Sequence, residues 1–427
     1  MEDDFVLTQN MKKGRKQLAV AVILGHAIKH IYLSALPLLT AHLKIDRGFN
    51  GKTYGIINGA QRATNGSTTM VAGYLGERFA NKAGLMLCTS LTLMGASYFF
   101  LGIAPSFWWV FLAMLIIGIG PALYHPPAIA SLSRKFPDKR GFAISLHGTG
   151  GSVGQMLGPL VVGLLSTETF RIGSLVTVTY MVAFKWDQIL RVGVIPAFVF
   201  AIIVYLMMRN IPTSSTNTTS FKGYYADLRD VLSNRSMQGL IFVTGFRSMA
   251  TEAVTIFLPV YLLSDISEGG LGKTDLTVGL YLAGSQVAGI AVQPLMGWLS
   301  DRYGRKIILI PSMTMLGMLF IGLYYNNQGA PLAINILLMG CFLYSLHTIF
   351  IAAAMDVAQG KSQATVVSLI YAATTIGFIS PFIAGILTDI FNLKIAFVYS
   401  GVIVILSTML LLFVKLPKVK NANHVTR

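Results

Sequence analysis

The chain has 427 residues, of which 54% are hydrophobic and only 12% charged, with 33 Lys+Arg against 17 Asp+Glu and a net charge of +16. Soluble domains carry about 25% charged residues, so this chain cannot coat a large soluble surface; a soluble enzyme, a disordered chain and a disulfide scaffold are excluded. Its two cysteines, Cys88 and Cys341, lie in apolar runs and build neither a disulfide framework nor a metal motif.

The opening residues, MEDDFVLTQNMKKGRK, are acidic and then basic; they lack an apolar core and do not read as a cleaved signal peptide. A membrane-spanning helix needs about 20 mostly apolar residues. Such stretches occur at 18–41, 54–75, 83–103, 107–132, 141–166, 187–207, 238–263, 276–299, 306–325, 331–355, 363–387 and 394–414. The expected fold class is therefore an all-α polytopic membrane protein with twelve transmembrane helices. Segment 172–184 is apolar but short, bounded by Arg171 and Lys185, and reads as an ordered extracytoplasmic insert, a short hairpin and not a thirteenth span. The polar stretch 209–236 is Ser/Thr/Asn-rich at its start and reads as a linker. The expected organisation is a six-helix half at 1–207, a cytoplasmic linker at 208–236 and a second six-helix half at 237–427.

Twelve spans place both termini and every even-to-odd loop on one side. That side holds 22 of the Lys and Arg residues, the other holds 8, and Lys29, Arg62 and Arg247 fall inside spans. The positive-inside rule then puts both termini in the cytoplasm, as expected of a multi-pass plasma (inner) membrane protein. Most of the basic excess is an orientation signal and implies lipid headgroups, not nucleic acid, as its partner. A monomer is expected.

The halves repeat. Gly73-Tyr-Leu-Gly-Glu77-Arg78-Phe-Ala80-Asn81-Lys82 matches Gly297-Trp-Leu-Ser-Asp301-Arg302-Tyr-Gly304-Arg305-Lys306 at an offset of 224. Gly158-Pro159 and Ser380-Pro381 are offset by 222, and Leu123-Tyr124 and Leu343-Tyr344 by 220. A parallel 6+6 repeat is a known transporter plan.

On these residues the chain resembles the major facilitator superfamily, whose signature G-x-L-S-D-R-x-G-R-K is matched in full by the copy at 297–306. The first copy departs at Glu77, Ala80 and Asn81. Gly154-x3-Gly158-Pro159-x3-Gly163 resembles the fifth-span motif of the family's antiporters, with Val162-Gly163 where a Gly-Gly pair is usual. More narrowly, Tyr124-His125-Pro126 and His26 are similar to the fosmidomycin-resistance type of efflux protein, which usually has an Asn-Asp pair where this chain has Lys29-His30. The resemblance implies alternating access, with spans 1, 4, 7 and 10 lining a central cavity and the Asp301 carboxylate latching a cytoplasmic gate. Gly297 and Gly304 would permit tight packing and a short turn. Arg302, Arg305 and Lys306 would sit at the anionic leaflet.

A charge at mid-membrane costs about 2.5–3.5 kcal/mol on insertion scales and usually faces a cavity or a partner. Lys29, Arg62, Arg247 and Glu252 are such charges. Each shares a helical face with other polar groups: His26, Lys29 and His30 in span 1; Asn58, Gln61, Arg62, Asn65 and Thr69 in span 2; Thr244, Arg247, Ser248, Thr251 and Glu252 in span 7. Spans 4, 5 and 10 add Tyr124, His125, His147, Tyr344 and His347. The net cationic set favours an anion, because low dielectric strengthens the attraction and the Arg fork fits carboxylate or phosphate. The expected substrate site is His26, Lys29, His30, Arg62, Tyr124, His125, Arg247 and His347. Glu252, the one carboxylate well inside a span, and His26 are the expected proton-coupling groups.

His26-x3-His30 has metal-ligand spacing, but Lys29 lies between the two and no Cys or Asp is near. No metal and no cofactor are expected, and His147 and His42 read as a satisfied membrane histidine and a surface histidine. No G-x-x-x-x-G-K-[ST] loop is present, which argues against nucleotide hydrolysis. The favoured function is proton-coupled efflux of a small organic anion or drug, not an enzyme. An anion uptake permease and a non-transporting receptor or scaffold are the alternatives.

Overall fold

A computed structural model describes residues 12–167, 169–172, 176–179, 183–211, 229–358 and 363–417. Backbone polar groups inside a bilayer must be satisfied within the chain, so long apolar stretches fold as helices. In order these are α1 (Arg15–Asp46), α2 (Gly51–Arg78), α3 (Ala83–Gly102), α4 (Phe107–Ala122), α5 (His125–Lys135), α6 (Arg140–Leu165), α7 (Trp186–Val192) and α8 (Val194–Met208). They continue with α9 (Arg235–Leu263), α10 (Asp275–Tyr303), α11 (Arg305–Tyr325), α12 (Gly329–Val357), α13 (Gln363–Thr374), α14 (Ser380–Ile390) and α15 (Ile395–Phe413).

All twelve expected spans fall on helices. Ten helical stretches among the described residues are long and apolar enough to cross a membrane. The other two expected spans, α2 and α6, are 28 and 26 residues long but carry the Asn/Gln/Arg and glycine stripes that lower their hydropathy. Two spans are not continuous. The fourth breaks at Leu123–Tyr124, because Pro126 and Pro127 cannot donate backbone hydrogen bonds and suit the first turn of a new helix. The eleventh is interrupted between α13 and α14 by a 3₁₀ segment, Thr375–Ile379.

The expected insert is a hairpin of β1 (Thr169–Ile172) and β2 (Val176–Thr179), antiparallel with Thr169 opposite Thr179 and Ile172 opposite Val176. Of the expected linker, residues 212–228 lie outside the described residues.

The chain forms two compact units, one of residues 1–219 with 259–283 and the other of 220–258 with 284–427. In the first unit α6 lies on α1 along a glycine ladder. A Cβ on Gly150 would stand 2.7 Å from the Ile23 carbonyl oxygen, and one on Gly151 2.5 Å from His26 Cε1. On Gly154 and Gly158 it would collide with the Ala27 carbonyl and the Ser34 hydroxyl. Absent side chains let the two backbones touch, the usual device where lipid offers no hydrophobic drive between helices. Further along, Gly163 and Gly279 seat the start of α10 against Pro159–Gly163. In the second unit Gly340 packs on Ser285, Gly289 on Tyr344 and Gly317 on Gly401.

A buried polar network and two buried cations

The α1–α6 ladder fixes which side chains meet. His147 lies one turn before Gly151 on α6, so its ring reaches α1 beside His26. The two imidazoles stack with centroids 3.7 Å apart. The proline-induced restart at His125 brings that ring edge-on to His26 at 4.8 Å, and His30 lies edge-on at 4.6 Å. His26 Nδ1 and the His147 carbonyl oxygen are 2.6 Å apart. Because a carbonyl only accepts, His26 donates through Nδ1–H, which leaves Nε2 as the lone-pair nitrogen. That Nε2 is buried without a hydrogen-bond partner, and His147, equally buried, has the Val22 carbonyl beside one of its two ring nitrogens. Lys29 is only 2% exposed on the same helix, and its charge acts on His26, His30, His125 and His147.

Two expectations change here. His147 is no isolated, satisfied histidine; it is the stacking partner of His26. Tyr124 is fully buried and its hydroxyl donates to the Val22 carbonyl at 2.9 Å, seated in the notch left by Gly25. It holds α1 and does not offer its hydroxyl to a solute. Arg62 is half-buried on α2. Its stripe is largely used within the fold: Asn58 Nδ2 donates to Tyr54 O at 2.9 Å, Asn65 Nδ2 to Gly118 O at 3.2 Å, and Thr69 Oγ1 to Asn65 O at 2.7 Å.

The second unit holds its own cluster. Arg247 is 5% exposed, with its guanidinium carbon 5.5 Å from the Phe350 ring centroid and its Nε buried without a hydrogen-bond partner. Glu252 and His347 both interact with it electrostatically. His347 meets Tyr371 edge-on at 5.0 Å. Ser248 Oγ donates to the Thr374 carbonyl at 2.8 Å, and Gly377 in the 3₁₀ segment lies against Ser248 and Glu252. The sequence pattern gave no sign of Phe350, Tyr371 or the 3₁₀ break as neighbours of these charges.

The basic motif at 301–306 is tied down within the second unit. Arg305 binds Asp301, donates from Nε to Asp356 Oδ2 at 2.9 Å and from Nη1 to Ser300 Oγ at 2.8 Å. Lys306 Nζ donates to the carbonyls of Leu412 and Val414 at 2.6 and 3.0 Å, a cation at a helix C-terminus where the dipole favours it. Arg302 lies 5.3 Å from the Trp298 ring. Gly304 has φ +103°, a backbone that L side chains rarely adopt, so the short turn is as expected. Close packing at Gly297 is not found: a Cβ there would meet nothing within 4 Å, and the same holds for Gly73. The near neighbour in the first copy is Gly76, whose Cβ would stand 3.2 Å from Pro127 N. Arg78 is exposed, and the Glu77 side chain lies outside the described residues. Asp356, the second acid of this network, was not expected. Pro381 and Ser380 are buried, with Ser380 Oγ 3.2 Å from Tyr399 Oη. His42 is not a bare surface group either; its Nε2 pairs with Asp275 at the start of α10.

The model of the Major Facilitator Superfamily matches residues 18–273 and 240–427. The multidrug resistance protein MdtH of Salmonella typhi is 23% identical over 301 residues, 70% of this chain and 68% of that protein. MdtG of Rahnella sp. (strain Y9602) is 25% identical over 271 residues, 63% and 60% respectively. Among solved structures, a bacterial homologue of the human lysosomal transporter Spinster superposes with a TM-score of 0.71 at 15% identity, over 94% of this chain and 96% of that one. The nucleoside transporter NupG gives 0.75 at 13%, over 94% and 100%; these two speak for the fold alone. With the repeat, the 297–306 motif and the helical architecture, the family match establishes that this chain belongs to the major facilitator superfamily and is a multi-pass membrane transporter, not an enzyme.

Proposed function

We propose that the protein exports a small organic anion or drug in exchange for protons, by alternating access of its two six-helix halves joined by the 208–236 linker. The observation that carries the anion reading is Arg247, a guanidinium buried in a membrane helix with a free Nε. Removing such a group from water is costly unless a partner compensates it, and a planar fork favours carboxylate or phosphonate oxygens. Lys29 is a second buried cation, in the first unit. Arg62 and the ring nitrogens of His30, His125 and His347 complete the proposed solute contacts.

Glu252 and His26 are the proposed proton carriers. The names of the MdtG and MdtH relatives support efflux, as does the antiporter-like Gly154–Pro159 motif. The excess of cations on one face supports an orientation with that face, and both termini, in the cytoplasm. Protein in vesicles under an imposed pH gradient, scanned against anionic, neutral and cationic solutes, tests this reading. Arg247→Glu should abolish transport of an anion; retained transport of the same solute refutes the role of Arg247. Accumulation with, instead of against, the proton gradient would identify an uptake permease.

A further inference from the structure

We propose that His26, His125 and His147 form a binding site for a late first-row divalent metal ion inside the first unit. The inference goes beyond the transport reading. One ring nitrogen from each residue lies within 4.8 Å of the others. In a tetrahedral zinc site with Zn–N bonds of about 2.0–2.1 Å, neighbouring nitrogens stand roughly 3.3 Å apart. Closing that difference takes about 1.5 Å or less at each pair, together with a tilt of the stacked His26 and His147 rings so that their lone pairs converge.

Three features of the cluster suit a metal better than a set of satisfied histidines. First, the Nδ1–H of His26 points to a backbone carbonyl. This fixes the tautomer and leaves Nε2 as the nitrogen with a lone pair, the arrangement that accompanies most metal-bound histidines. Second, His26 Nε2 and at least one ring nitrogen of His147 are buried and unpartnered. Leaving such groups unsatisfied costs about 1–3 kcal/mol each, which a bound ion would relieve. The Val22 carbonyl, which also accepts from Tyr124, lies close enough to receive one His147 N–H, and a single carbonyl leaves the other His147 nitrogen with its lone pair free for an ion. Third, the ligands come from α1, α5 and α6, and α6 is held to α1 by the glycine ladder, so they rest on helices and not on loops.

The donor chemistry selects the ion. Imidazole nitrogen without thiolate or carboxylate suits Zn(II), Co(II), Ni(II) or Cu(II) and not Mg(II) or Ca(II). His30, 4.6 Å from His26, stands next to the site as a fourth imidazole. Lys29 opposes a cation, so its ammonium sets the affinity lower than three imidazoles alone would give. With a metal bound, His26 is no longer a proton carrier and Glu252 alone fills that role, and His125 is no longer a solute contact.

The test uses untagged full-length protein in detergent, stripped of metal and titrated with Co(II), followed by its visible absorption, with Zn(II) in competition. It needs no solute and no gradient, so it stands or falls apart from the transport reading. The wild type should bind one equivalent. His26→Gln, His125→Gln and His147→Gln should each weaken binding by more than the roughly 10–100-fold typical of losing a second-shell partner. His42→Gln should leave it unchanged, and Lys29→Met, which keeps every ligand, should tighten it at least tenfold. Binding that ignores all three histidines, or is absent from the wild type, overturns the site. Should a histidine variant fail to fold, Lys29→Met decides: unchanged or weaker binding there overturns it too.

Discussion

Gly151→Ala puts a single methyl where the histidine network is tightest. Its Cβ would stand 2.5 Å from His26 Cε1, so the ring must retreat by about 1 Å to reach van der Waals distance. That retreat breaks the 2.6 Å bond from His26 Nδ1 to the His147 carbonyl. Overpacking of this kind costs about 1–3 kcal/mol, and the lost hydrogen bond about 0.5–1.5 kcal/mol more. Replacing a helical glycine by alanine returns roughly 1 kcal/mol through propensity. The net loss is about 1–3 kcal/mol, or roughly 3–10 °C in Tm for a cooperative unit of this size. Gly148→Ala is the control, because a Cβ there meets nothing within 4 Å and only the propensity gain of about 1 kcal/mol applies. Thermal melts of both variants in one detergent supply the measurement. A shift of both in the same direction would mean that the ladder does not confine His26.

Other substitutions probe the remaining contacts. Arg305→Ala removes the group shared by Asp301, Asp356 and Ser300 and should cost about 1–3 kcal/mol, because charged hydrogen bonds are strong but both acids are partly solvated; Arg305→Lys should recover only part of the lost Tm. Ser90→Ala leaves the buried Gly120 carbonyl without the hydroxyl 2.5 Å from it, a loss of about 0.5–1.5 kcal/mol by the same melt. A double-mutant cycle of His42→Gln and Asp275→Asn should show coupling of about 0.5–1 kcal/mol, and additive effects would mean the pair is not formed. Glu252→Gln should retain solute binding, read by ligand-induced Tm shift, and lose proton-driven transport; undiminished gradient-driven flux would remove Glu252 from the proton path.

The helices were the most legible part of the chain, because a bilayer leaves an apolar stretch of 20 residues few other folds. The turn at Gly304 was equally plain, since the motif demands a residue free to take positive φ. What the pattern hid is lateral. Which face of α6 meets α1 depends on the ladder of Gly150, Gly151, Gly154 and Gly158. The fifth-span motif pointed to half of that ladder but not to His147 as its passenger. Tyr124 has the polarity of a ligand group, yet Gly25 supplies a notch that claims its hydroxyl. Gly73 and Gly297 hold the motif positions, whereas the close approach in the first copy falls to Gly76. Asp356 is 51 residues from Arg305, beyond any local spacing rule. Intramembrane charges announce that partners exist, and only packing says which.

The 3₁₀ stretch at Thr375–Ile379 has a mechanical meaning. A 3₁₀ helix rises about 2.0 Å per residue and an α-helix 1.5 Å. Five residues passing from one to the other change the length of that span by about 2.5 Å, close to half a turn of α-helix. Gly377 bears on Ser248 and Glu252 at this point, so rewinding the segment would slide backbone past the Glu252 carboxylate. The eleventh span thus carries a short screw thread at the level of Glu252, along which α14 would advance or retract without leaving its seat on α15.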